Sequence, residues 1–236
     1  ITTERYPLHE SQSAHCRALV ARGQTCLASQ SVFSPPGFLR PNTLTEMQVE
    51  ARTLVPVGYH KTRRRDSIGR GTPYATRVSM SAVGLDQMNR SSPMRELFFS
   101  DALTKFIGAL LSRNPYYRSA DPMAGCMVTA LGVGDELGGH FDSNDGVVTL
   151  TLEQPDAGEL FEYVRHARGV DQFQFEKIIA NTANTIVRLK HEASALTLFN
   201  GHHALHRVSP VQSGPDRLTL IFSYDSQPGQ IFSESV

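Results

Sequence analysis

The sequence predicts a mainly β chain with flanking α-helices, arranged as a β-sandwich or open barrel with the helices packed outside it. Three observations predict this. The long helical patterns fall in the first half of the chain. From Cys126 onward the chain breaks into runs of about five to nine residues with β-branched or alternating character. Turns such as GDELGG, QPDAG and SGPD separate those runs. Helices first and many short strands afterwards suit a β core backed by a helical layer. With 236 residues, 40% of them hydrophobic, the chain can bury one sizeable core. Residues 1–236 therefore read as one domain, a helical scaffold over about 1–115 and a β core over about 120–230.

In chain order, SQSAHCRALVAR suggests a short helix. After Pro35 and Pro36, TLTEMQVEARTL suggests a second, with Thr43 or Thr45 as its N-cap. Residues 60–74, HKTRRRDSIGRGTPY, are basic, contain glycine and lack apolar periodicity, so they read as a loop, either a solvated turn or a lid. YATRVSMSAV reads as β-type. SSPMRELFFSDALTKFIGALLSRN is the clearest helix, with Ser92 as N-cap and Pro93 at N1, where its missing N–H costs nothing. Its stripe of Met94, Leu97, Phe98, Leu103, Phe106, Ile107, Leu110 and Leu111 is core. The strands are CMVTALGV, GVVTLTLE, GELFEYV, NTIVRLK, SALTLFN and RLTLIFSYD, and QFQFEKIIAN reads as a short helical insertion between them.

Lys plus Arg equals Asp plus Glu, for a formal net charge of zero. No global field draws the chain to a nucleic-acid polymer or an anionic membrane, and a small polar substrate suits the balance. Three cysteines without a Cys-x-x-Cys pair argue against a disulfide framework or a thiolate zinc site and for a cytoplasmic protein. Cys126 reads as a small buried hydrophobe. No membrane span or leader is legible, and the chain opens at Ile1 without a methionine, as if a few residues precede it.

The chemistry concentrates at GGHFDSNDGVVTLTL. His140 and Asp142 lie two apart, and in extended backbone both point to one face. A third ligand is available in LFNGHHALHRVSP. His206 opens a strand-like stretch, whereas His202 and His203 fall in the preceding Asn-Gly turn. Two histidines and one carboxylate on one face form the facial triad of non-haem Fe(II) oxygenases. Arg217 follows eleven residues after His206, and alternation carries Arg217, Thr219 and Ile221 onto one face. A guanidinium makes a two-bond contact with a carboxylate that lysine cannot reproduce.

HFD, a distal HRV and R-x-T on the following strand resemble the Fe(II)/2-oxoglutarate-dependent dioxygenase superfamily over roughly residues 126–229. LFNGHHALHRVSP and FSYDSQPG further resemble the group of small bacterial enzymes that hydroxylate or halogenate free amino acids. The resemblance implies a double-stranded β-helix, a cupin-like jelly roll, as the fold. It implies Fe(II) held by His140, Asp142 and His206, with 2-oxoglutarate and O2 as cosubstrates and Arg217 pairing with the far carboxylate. Thr219 can add a hydroxyl donor, and Thr129, Met127, Tyr116 or Tyr117 could border the cosubstrate. In the halogenases of that group the carboxylate position is Gly or Ala, so Asp142 implies hydroxylation rather than chlorination.

For an amino-acid-like substrate, Arg77 is the candidate for its carboxylate, against an equal reading as an exposed strand arginine. His60, Tyr59 and Asp145 stand second. Asn200 and His203 could line the mouth, although Asn200 also reads as a plain turn residue. The expected function is hydroxylation of an unactivated C–H bond of a free amino acid or derivative, in a biosynthetic pathway. Desaturation, cyclisation or a nucleotide-type substrate are variants. The non-enzymatic alternative is a cupin-like metal-binding or sensing domain.

Overall fold

The computed structural model describes residues 1–65, 76–142, 146–165, 167–169 and 186–231, and it leaves out the side chains of residues 63–65, 76 and 77. The expected insertion QFQFEKIIAN, Asp145 and residues 66–74 of the basic segment lie outside the described residues.

Four helices come first: α1 (Ala14–Gln30), α2 (Pro41–Leu54), α3 (Pro93–Phe98) and α4 (Asp101–Leu110). Interleaved with and following them are β1 (Val32–Phe33), β2 (Tyr59–Arg65), β3 (Thr76–Gly84), β4 (Tyr117–Arg118), β5 (Cys126–Leu131), β6 (Glu136–His140) and β7 (Gly146–Glu153). Then come β8 (Ala157–Gly158), β9 (Phe161–Val164), β10 (Val187–Leu189), β11 (Leu196–Phe199), β12 (Leu205–Val208), β13 (Val211–Ser213) and β14 (Arg217–Asp225). No helix among the described residues is long and apolar enough to cross a membrane.

Several boundaries differ from expectation for local reasons. α1 continues past Arg22 to Gln30, where Ser31 adopts left-handed backbone and ends it. α2 starts at Pro41 after Arg40, not at Thr43 or Thr45, because proline's fixed φ suits the first helical position. Ser92 caps α3 as expected, accepting from the backbone N–H groups of Met94 and Arg95. The single long helix, however, is two: Phe99 leaves helical geometry, and Ser100 starts α4 by accepting from Leu103 N–H. Residues 60–65, read as loop, pair as β2 with β3. Part of GDELGG, read as turn, is β6, because its backbone pairs with β3 on one side and β12 on the other. GELFEYV breaks between β8 and β9 at Glu159, whose φ of 56° follows a φ of 85° at Gly158.

Twelve of these strands form one curled antiparallel sheet in the order β1-β11-β7-β14-β5-β3-β6-β12-β9-β10, with β2 on β3 and β4 on β14, and β8 pairs with β13 in a separate two-stranded sheet. This is the double-stranded β-helix expected from the resemblance. β3, from the part of the chain expected to be helical scaffold, joins the two arms by pairing with both β5 and β6.

Strand alternation sorts the two faces. On β14, Leu218, Leu220, Phe222 and Tyr224 pack with Leu19, Met47, Phe98, Leu103 and Ile107 of the helices. Val148, Leu150 and Leu152 of β7 and Cys126, Val128 and Ala130 of β5 join the same core. Each buried Val, Leu, Ile, Met or Phe side chain among them contributes about 1.5–3 kcal/mol by leaving water. The opposite faces of these strands carry Thr129, Thr149, Arg217, Thr219 and Ile221 into the interior of the curl. Cys126 is fully buried among the apolar side chains, and burial pushes its thiol pKa far up.

Candidate metal and cosubstrate site

The interior of the curl holds a cavity of about 100 Å³, lined from both arms of the sheet. His140 closes β6 and His206 lies on β12, and the two are paired directly across the antiparallel ladder. Cross-strand partners have Cβ atoms about 4.5–5.5 Å apart, so this register brings the two imidazoles together. Their ring centroids are 4.2 Å apart. Asp142 follows β6 and folds back, its backbone N–H donating to Gly201 O at 3.0 Å. Its Oδ1 lies 3.4 Å from His206 Nε2 and 3.9 Å from His140 Nε2. One ligand atom from each of the three lies within 4.8 Å of the others.

The same local device orients both histidines. His140 Nδ1 sits 2.8 Å from Gly138 O and His206 Nδ1 sits 3.0 Å from Ala204 O. Each Nδ1–H donates to the carbonyl two residues earlier, which turns Nε2 toward Asp142 as the nitrogen available to a metal. Burial pushes the Asp142 carboxyl upward, but His206, then His140 and His202, more than offset it and hold it below the usual carboxylate range. Burial pushes His206 down, and Asp142 reverses this to raise it above the ordinary imidazole value. Arg168 braces the loop from outside: it donates to Asp142 O at 3.1 Å and lies over the Phe141 ring at 4.9 Å.

Gly201 makes room for the carboxylate. A Cβ there would fall 1.7 Å from Asp142 Oδ2 and 3.1 Å from His206 Cε1. Gly201→Ala should therefore displace Asp142 and weaken divalent-metal binding about 10- to 100-fold, the range seen when an orienting partner is lost. Equilibrium titration with Co(II) reads this, and unchanged affinity would show that the carboxylate is placed otherwise.

Arg217, 4% exposed, lines the same cavity with Thr219, Thr129 and Ile221. The alternation read from the sequence thus places Arg217, Thr219 and Ile221 together. The guanidinium is not free: its Nε donates to Oε1 of Glu159, which is 1% exposed. Burial pushes the Glu159 carboxyl up, while His191 and Arg217 outweigh burial and hold it below the usual range. Buried His191 also lines the cavity. Neither Glu159 nor His191 was singled out in the sequence. Glu159 heads a strand-like run and turns inward only through its left-handed backbone, for which the preceding Gly158 was the available signal. His191 is hidden between exposed Lys190 and Glu192.

The remaining candidates fall elsewhere. His60 is exposed on β2, 3.3 Å from Ser81 Oγ, and does not line the cavity. Asn200 is an exposed turn residue, also off the cavity wall, and its N–H donates to Ser31 O. Tyr116 stacks on Tyr224 in the helix-facing core, and Met127 is absent from the cavity wall. Arg77 occupies the start of β3 opposite Arg64; its side chain is outside the description. His202 and His203 form the turn before β12, their rings 5.0 Å apart.

A family model described as "HalD: Halogenase D" matches residues 17–230. No curated protein sequence matches the chain. Among solved structures, the chain is similar to the non-heme alpha ketoglutarate dependent epimerase SnoN from nogalamycin biosynthesis, with 16% identity, 89% of this chain and 81% of that chain covered, and a TM-score of 0.65. An oxidoreductase of the 2OG-Fe(II) oxygenase family from Burkholderia pseudomallei matches with 14% identity, coverage of 89% and 92%, and a TM-score of 0.61. HygX from Streptomyces hygroscopicus, solved with nickel, 2-oxoglutarate and hygromycin B bound, matches with 12% identity, coverage of 86% on both sides and a TM-score of 0.59. At these identities the likeness establishes the fold.

Proposed function

The chain belongs to the family described as HalD, Halogenase D, and from that premise we propose that it is a non-haem Fe(II)/2-oxoglutarate oxygenase that hydroxylates an unactivated C–H bond of a free amino acid or a derivative. The observation that carries the reading is the convergence of His140, Asp142 and His206 in the cavity that Arg217 also lines. The burial of Arg217 does not carry it alone, because Glu159 already gives the guanidinium a structural partner.

The donor set fits the group. Two imidazoles and a carboxylate suit Fe(II) and leave positions open for other ligands. When bound, Fe(II) with 2-oxoglutarate and O2 supplies the oxidising power for C–H cleavage, and the cosubstrate leaves as succinate and CO2. The chain's residues supply placement. His140 and His206 would bind through Nε2, with Nδ1–H fixed by backbone carbonyls. Asp142 would neutralise one metal charge and occupy the position that a halide needs, which favours hydroxylation over halogenation despite the family's description. Arg217 would take the far carboxylate of 2-oxoglutarate, with Thr219 Oγ1, which lacks a hydrogen-bond partner among the described residues, as an added donor and Thr129 beside it. Phe161, Phe199, Val147 and Ile221 would keep water from the reacting carbon. Arg77 remains the candidate for a substrate carboxylate.

The test is succinate formation from 2-oxoglutarate with Fe(II), ascorbate and O2, combined with mass-spectrometric screening of amino acids, their derivatives and nucleotides. Stimulated succinate and a product heavier by one oxygen are expected for an amino-acid-type substrate, with no chlorinated product in added chloride. Loss of two hydrogens would redirect the reading to desaturation or cyclisation. An amino-acid set that never stimulates turnover, beside a nucleotide that does, would replace the substrate class. No turnover with any of them would favour the metal-binding or sensing domain.

A further inference from the structure

The proposed chemistry leaves polar groups beside Arg217 unused. His191 is 3% exposed and lines the cavity together with Arg217 and Thr219. Neither of its ring nitrogens has a hydrogen-bond partner among the described residues. Its Nδ1 stands 3.9 Å from Glu159 Oε1, and its ring packs on Phe161 with centroids 5.3 Å apart. Glu159 Oε2 and Thr219 Oγ1 are also buried without such a partner. Buried polar atoms are ordinarily satisfied, so this group of orphaned atoms around one guanidinium is arranged for a polar ligand.

Charge decides what that ligand must bring. Arg217 and Glu159 cancel, so this end of the cavity is neutral while His191 is uncharged. A docking carboxylate would make it net negative in a site that gives poor solvation, which is unfavourable unless a positive charge arrives with it. We propose that His191 contacts the far carboxylate of 2-oxoglutarate and takes up one proton as that carboxylate docks at Arg217, and that Glu159 is the positioning residue that makes the uptake necessary. The inference rests on the 2-oxoglutarate reading above. The proton comes from solvent, and the imidazole becomes imidazolium. Burial, ahead of the opposing pull of Glu159, holds His191 below the ordinary imidazole range beforehand, so at neutral pH it is ready to accept. Among the described residues, the charged groups that face it are Glu159 from the β8–β9 link and Arg217 from β14, while Phe161 of β9 presents an apolar ring. His140, Asp142 and His206 line the same cavity. On its own segment Lys190 and Glu192 are exposed.

The experiment is calorimetric titration of the full chain loaded with Ni(II), at about pH 7.5, above the ordinary imidazole range. Two buffers of different ionisation enthalpy report the protons exchanged. The ligands compared are 2-oxoglutarate and 2-oxobutanoate, which shares the chelating head and lacks the far carboxylate. The expected excess for 2-oxoglutarate is about one proton, with an affinity that falls about tenfold per pH unit between the free-state and bound-state pKa values of the imidazole. His191→Gln should abolish the excess and flatten the pH dependence. Glu159→Gln keeps an acceptor for Arg217 Nε and removes the negative charge; it should tighten 2-oxoglutarate binding about tenfold, equivalent to one pKa unit, and also abolish the excess. Weaker binding in Glu159→Gln would mean that Glu159 acts only as a strut and would overturn its assigned role. Equal proton uptake for both acids would overturn the inference and leave the 2-oxoglutarate reading intact. Failure of both acids to bind would sink that reading itself. Should either variant fail to fold, the two-acid comparison on the unaltered chain decides alone.

Discussion

Asp142→Ala should abolish C–H oxidation and weaken metal binding by more than the roughly 10- to 100-fold that loss of an outer partner costs. His206→Ala should do the same, and His202→Ala should not. The three ligand atoms stand within 4.8 Å of one another without any rearrangement, so removing one leaves a two-legged site with no replacement in the cluster among the described residues. His202 sits in the turn before β12, its ring against His203, and is not part of the cluster. The electrostatics give a second readout. Without metal, Asp142 holds His206 in its protonated form more strongly than water does. A metal must displace that proton, so metal affinity should fall as pH drops through the raised His206 pKa, and Asp142→Ala should shift that fall to lower pH. Equilibrium dialysis with Co(II) across pH reads both effects. Unaltered binding in Asp142→Ala, or loss in His202→Ala with retention in His206→Ala, would move the site.

Arg217→Ala should separate binding from stability, because the guanidinium serves both. Cosubstrate affinity should be lost with the two-bond contact, and Arg217→Lys should recover only part of it. Stability should also fall by about 3–5 kcal/mol, the usual consequence of stranding a buried charge, since Glu159 is 1% exposed and, among the described residues, is left with His191 at 3.9 Å. The sign of the pH dependence follows. With Arg217 present, the folded-state pKa of Glu159 is depressed, so its contribution is present above the unfolded carboxylate pKa and is lost as pH falls through the depressed value. Removing Arg217 takes away part of what holds that pKa down, so the pKa rises and the variant should regain stability relative to the unaltered chain as the pH is lowered and Glu159 protonates. Adding Glu159→Ala to Arg217→Ala should restore part of the loss, because the stranded charge goes with it. Urea unfolding at neutral and acidic pH measures all of this. A strictly additive double variant would show that the two side chains are energetically independent.

The amino-acid order by itself determined the strand-rich second half, the alternation that puts Arg217, Thr219 and Ile221 of β14 on one face, and the trio His140, Asp142 and His206. It could do so because strand period and ligand spacing are local properties: two residues apart on extended backbone is one face, wherever the strand lies. Tertiary structure decided what depends on pairing across the chain. β6 looked like a turn until β3 and β12 satisfied its backbone, and the same register set His206 opposite His140. The long helix became two because Ser100 caps more favourably than it continues a helix, a contest that periodicity does not register. Glu159 and His191 reach Arg217 only because a left-handed kink and two distant loops converge inside the curl. Their partner was legible at the head of β14, while the neutralising charge beside it was not, since electrostatic neighbours separated by tens of residues are created only when the sheet closes.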